Sequence, residues 1–140
     1  MAARAKMKRW IFRVIAAAIG AIFIYAGAVK ALDPAQFAND IRNFRLVPWS
    51  VVVSAALYLP WLEIVSGCAL VFRRAYRGAL WITMALTVIF FATLLSAKMR
   101  GLDISCGCFG HSVAHCSFVP LIRNAALLAA LGLLLFADRD

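Results

Sequence analysis

The chain is short of charge, and of negative charge most of all. Six aspartates and glutamates stand against fifteen lysines and arginines in 140 residues, and charged residues of both signs make up only 15%. Soluble domains carry about 25%. With 65% apolar residues and a mean hydropathy of +0.89, an ordinary soluble fold is excluded. A net charge of +9 would suggest nucleic acid if the chain were soluble. Here the basic residues flank apolar runs, where they orient membrane segments and meet anionic headgroups. Membrane lipid, and no nucleic acid, is the expected partner. Proline is equally sparse, and Pro34, Pro48 and Pro120 fall where apolar runs begin or end. No cofactor-binding motif is present.

What remains is four apolar runs, each close to the twenty or so residues that cross a hydrocarbon core. They cover about 10–31, 50–72, 78–97 and 120–137. The expected fold is therefore all-α: an integral membrane four-helix bundle in a single domain. Between the first two spans, Asp33 and Pro34 form a helix start, an N-cap acid followed by proline at the first helical position. Phe37, Ile41 and Phe44 then recur at helical spacing among polar neighbours, including Asn39, Asp40 and Arg42. That pattern predicts a short amphipathic interfacial helix over about 34–45, either a functional lid or a plain connector. Trp10, Trp49 and Trp81 suit the headgroup belt.

A cleaved signal peptide is the rival reading of the first span, with Ala26-Gly27-Ala28 resembling a cleavage site. Its apolar stretch exceeds the usual signal core and three further spans follow, so the span reading is preferred. Basic residues concentrate at the amino terminus and in the Arg73–Arg77 turn. By the positive-inside rule both termini are cytoplasmic, and a loop over about 98–118 is extracytoplasmic at a bacterial inner membrane.

That loop holds three of the four cysteines, Cys106, Cys108 and Cys116, with His111 and His115. A Cys-x-Cys disulfide closes a small ring away from preferred geometry, which makes it easier to reduce and so a stronger oxidant. Gly107 and Gly110 give the backbone the freedom such a ring needs. Cys116 is the candidate resolving thiol, and either histidine can lower a thiol's pKa or take its proton. Two rival readings stay open: a static disulfide with an idle third thiol, and a metal site built on the same sulfur and nitrogen donors. Cys68, near the cytoplasmic end of the second span, reads as an inert packed residue.

Glu63 is the one acid well inside a span, and an intramembrane ionisable group is a functional candidate by default. It is either an interhelical tie or a proton relay to a bound quinone, with Pro60 nearby to bend the helix. Lys30 and Asp33 are spaced for a local ion pair at the outer end of the first span, with Lys30 a second candidate for a quinone oxygen.

These residues together resemble a known family. Gly27-x-x-Lys30-x-x-Asp33-Pro34-x-x-Phe37, then Pro60-Trp61-x-Glu63, then Arg100-Gly101 before Cys106-Gly107-Cys108-Phe109-Gly110 is similar to the MauE family, in the broader DoxX-like group. The resemblance runs over nearly the whole chain, and its most specific part is Cys-Gly-Cys-Phe-Gly. It implies four spans and a role in methylamine utilisation, in which a membrane protein and a thioredoxin-like partner mature the disulfide-rich small subunit of periplasmic methylamine dehydrogenase. It further implies that Cys106 and Cys108 are the redox pair, while His111, His115 and Cys116 lie outside the family pattern. By analogy with quinone-linked disulfide-forming membrane enzymes, a quinone is the candidate cofactor. The expected function is thiol–disulfide redox exchange. A non-catalytic membrane assembly factor and a metal-handling protein are the alternatives.

Overall fold

A computed structural model describes residues 1–100 and 118–139. The described chain is helical: α1 (Ala2–Leu32), α2 (Pro34–Asn43), α3 (Trp49–Phe72), α4 (Tyr76–Met99) and α5 (Phe118–Arg139). Helices α1, α3, α4 and α5 are each long and apolar enough to span a bilayer, and the protein is a multi-pass membrane protein. Its burial pattern fits that solvent. Large apolar side chains such as Tyr25, Leu57, Trp61, Val65 and Ile89 point outward, while the interior holds Glu63, Lys30, Thr83 and Thr87. The interior hydroxyls satisfy themselves within their own helices: Thr83 donates to the Ala79 carbonyl at 2.9 Å and Thr87 to that of Thr83 at 2.7 Å.

Helices α1 and α3 form the principal antiparallel pair, and α4 packs chiefly on α5. The α1–α3 seam is set by small residues. A Cβ added to Gly20 would lie 2.6 Å from the Gly67 carbonyl oxygen, and one on Gly67 would lie 2.6 Å from that of Gly20. Higher up, a Cβ on Gly27 would meet the Pro60 carbonyl oxygen at 2.6 Å. Backbone therefore touches backbone along the seam, the close approach that apolar bulk alone cannot provide inside lipid. Around it pack Ile19, Phe23, Leu70, Leu80, Leu131 and Leu134.

Asp33 ends α1 and caps α2 at once. Its side chain accepts from the Gln36 backbone N–H at 3.0 Å, with Pro34 opening the helix as its sequence pattern requires. Phe37 and Ala38 on α2 then pack against Val52 and Ala56 at the start of α3. Asp40, which the pattern assigns to a polar face, is instead buried and accepts from Gln36 Nε2 at 3.1 Å. At the opposite end α3 and α4 meet in a tight turn with Arg73 (φ 56°) and Ala75 (φ 48°) in the left-handed region.

The seam generates a direct test. Gly67→Ala and Gly27→Ala each force backbone apart and are expected to cost about 2 kcal/mol, the range of overpacking substitutions. Gly78→Ala, where an added Cβ meets nothing within 4 Å, is the neutral control. Thermal unfolding in detergent checks the ranking.

Candidate functional site

The bundle's polar centre is built from α1 and α3. A helical side chain leans toward the amino terminus of its helix, so Lys30, two residues before the end of α1, points back into the bundle. Its Nζ lies 2.8 Å from Glu63 Oε1, with both side chains 2% exposed. This overturns the expected local pair with Asp33, whose carboxylate is occupied in capping α2. The ammonium also sits over two aromatic faces, 4.3 Å from the centre of Phe90 and 5.1 Å from that of Phe37. A desolvated cation gains about 2 kcal/mol from such a ring face. Phe37 belongs to α2, so the short helix forms a roof over the pair.

Glu63 is bound on one side only. Its Oε2 is buried and has no hydrogen-bond partner among the described residues. The pair borders a small cavity of about 40 Å³ whose lining includes Thr87, Phe90, Arg123 and Asn124. That volume is enough for water, which the polar walls suit. Across Phe90 lies a larger apolar cavity of about 200 Å³ between α2, α3 and α4, lined by Phe37, Phe44, Leu59, Leu86 and Phe90, with Asp40 among its few polar groups. Sequence reasoning missed this second cavity and the parts played by Phe90 and Asn124. The Arg123-Asn124 pair near the start of the last apolar run was the available signal.

Of the sequence-derived candidates, Lys30 and Glu63 come together. Cys106, Cys108, His111, His115 and Cys116 lie outside the described residues. The helices that flank them are placed, however. Helix α4 ends at Met99, and Arg100 beside it donates from Nη2 to the Phe44 carbonyl at the end of α2. The connection over 100–117 therefore starts at the end of the bundle that α2 covers. Cys68 is a free thiol and half-buried, less enclosed than its apolar setting led us to expect.

These features define a small polytopic helical membrane protein with a buried ion pair, an aromatic roof and an adjoining apolar cavity. The family model described as methylamine utilisation protein MauE matches residues 8–137. The chain belongs to the MauE family. It is 30% identical over 125 residues to a methylamine utilization protein MauE of Paracoccus denitrificans, covering 88% of this chain and 66% of that protein. It is 37% identical over 101 residues to one of Methylorubrum extorquens, covering 70% of this chain and 54% of that protein. The chain thus spans between half and two thirds of the length of these relatives. No solved structure matches it.

Removing one member of a buried pair strands the other charge, at a cost of about 3–5 kcal/mol, whereas replacing both with apolar groups is far milder. Lys30→Met and Glu63→Leu are each expected to be strongly destabilising, and the double variant is expected to recover most of the loss. A double-mutant cycle on unfolding free energy measures the coupling directly.

Proposed function

We propose that the protein is a membrane thiol–disulfide redox protein that supports disulfide formation in an extracytoplasmic protein, in the methylamine-utilisation role its relatives' names carry. The observation that carries this reading is the common end of the bundle shared by α2, the Lys30–Glu63 roof and the start of the Cys106–Cys108 connection, tied by Arg100 to the Phe44 carbonyl. Basic residues at the other end, Arg4, Lys6, Lys8 and Arg9 with Arg73, Arg74 and Arg77, support a cytoplasmic assignment for it. Both termini are then cytoplasmic and the cysteine connection is extracytoplasmic, where disulfides persist.

The exchange balances as follows. A thiolate of a reduced thioredoxin-like partner attacks one sulfur of the Cys106–Cys108 disulfide, forms a mixed disulfide and releases the other sulfur as a thiolate. The partner's second thiolate attacks the mixed bond, so the partner leaves oxidised and the loop is left reduced by two electrons. In the opposite direction a reduced loop thiolate attacks a partner disulfide, and Cys116 resolves the mixed bond by attacking the loop sulfur. The partner leaves as a dithiol and the loop is oxidised, with His111 or His115 taking up the proton that Cys116 loses.

Reoxidation of the loop requires a two-electron acceptor, and a quinone is the class that a membrane supplies. The 200 Å³ apolar cavity with Phe37 and Phe90 in its walls fits an aromatic-sized ring, and Asp40 offers a polar group at its edge. A quinone held there supplies capacity for two electrons and two protons. Lys30 stays pinned behind Phe90, and Glu63 Oε2 remains open to hold a proton.

Redox titration of purified protein, with thiol trapping and mass mapping of wild type, Cys106→Ser, Cys108→Ser and Cys116→Ser, tests the reading. A Cys106–Cys108 bond titrating between about −120 and −200 mV, in the range of oxidising thiol enzymes, is the expected result. A bond that stays closed in strong reductant identifies a structural staple. Thiols trapped only after chelation identify a metal site.

A further inference from the structure

At the end of the bundle away from α2 lies a separate pocket of about 140 Å³ between α1, the α3–α4 turn and the end of α5. Three guanidinium-bearing residues line it: Arg9 and Arg13 from α1 and Arg73 from the turn. None of the three has a carboxylate partner among the described residues. Arg73 is held in a left-handed backbone conformation, φ 56°, that non-glycine residues rarely adopt, and its guanidinium stacks 4.4 Å from the centre of the Tyr76 ring. Its position is therefore fixed from both backbone and side chain.

The pocket's one acid, Asp138, is already engaged. Arg77 Nε donates to Asp138 Oδ2 at 2.5 Å, and Arg77 Nη2 donates to the Asp138 carbonyl at 3.2 Å. This pairing turns the carboxylate's charge to a fourth arginine and leaves the other three uncompensated. The remaining wall is apolar, with Phe12 and Leu134 among its lining residues. Trp10 and Trp81, 66% and 63% exposed, lie close in sequence to Arg9 and Tyr76 and mark the headgroup level.

We propose that this pocket is a specific site for the headgroup of an anionic phospholipid. The phosphate diester lies among Arg9, Arg13 and Arg73, and the glycerol and first acyl carbons lie along the apolar wall. A basic pocket between spanning helices at the cytoplasmic side suits such headgroups, and guanidinium forks match phosphate oxygens better than ammonium groups do. Free inorganic phosphate satisfies the arginines alone but leaves the apolar wall unused.

The test is native mass spectrometry of the full chain released from mixed phosphatidylglycerol and phosphatidylcholine vesicles at physiological salt. Wild type is expected to retain phosphatidylglycerol selectively. The combined variant Arg9→Gln, Arg13→Gln, Arg73→Gln is expected to weaken retention on the order of a hundredfold, from the loss of the direct charge-assisted contacts to the phosphate. Arg4→Gln, Lys6→Gln, Arg74→Gln removes the same charge outside the pocket and is expected to change retention only a few-fold. Asp138→Asn, which removes the carboxylate charge but keeps an amide oxygen for Arg77, is expected to bind several-fold more tightly. That gain cannot come from misfolding. Equal loss in the two triple variants, no lipid preference in wild type, no gain in Asp138→Asn, or full displacement by millimolar inorganic phosphate would each overturn the proposal.

Discussion

A charge inside the hydrocarbon of a membrane has no water to turn to, so its position dictates much of what surrounds it. Here the Lys30–Glu63 contact sets that requirement, and the end of the bundle beneath α2 answers it. The two side chains meet only because α1 and α3 approach backbone to backbone at Gly20, Gly27 and Gly67. The approach carries Lys30 to within reach of the Glu63 carboxylate on α3. Phe37 and Phe90 then shield the ammonium with ring faces, supplying electrostatic stabilisation without adding another charge to neutralise.

The two ends of the molecule treat charge in opposite ways. Near the roof, lysine and glutamate are enclosed and paired through one carboxylate oxygen. At the other end arginines stand exposed around a pocket, and the nearest acid is drawn off by Arg77. The first arrangement holds helices together across the bundle. The second leaves positive potential facing the headgroup layer, where it also contributes to orienting the chain. The left-handed residues Arg73 and Ala75 belong to this second end, where a tight connection between α3 and α4 keeps the arginine beside α1.

Much of the architecture was legible because bilayer thickness and hydropathy leave few choices. The spans and α2 follow from run length, the Asp33–Pro34 start and the recurrence of Phe37 and Ile41. The pairing of Lys30 was misread because spacing along one helix favoured Asp33. That reading ignored two physical facts: the lysine leans toward the amino terminus of α1, and a capping aspartate already has a donor. Asp40 was assigned to a solvated face, but Gln36 one turn earlier supplies a donor that lets it be buried. The cavity beneath α2 belongs to three helices at once and has no signature in any one of them.

The single-residue joint at Asp33 leaves no slack between a spanning helix and the helix that covers its end. The roof is hinged to α1 at one edge and seated on Val52 and Ala56. It cannot swing open toward the aqueous side without losing its cap or its seat. The apolar cavity, by contrast, includes Val51 and Ile89 among its walls, both exposed on the lipid-facing surface. Among the described residues the cavity therefore opens sideways, toward the acyl chains of the bilayer rather than toward the water above α2.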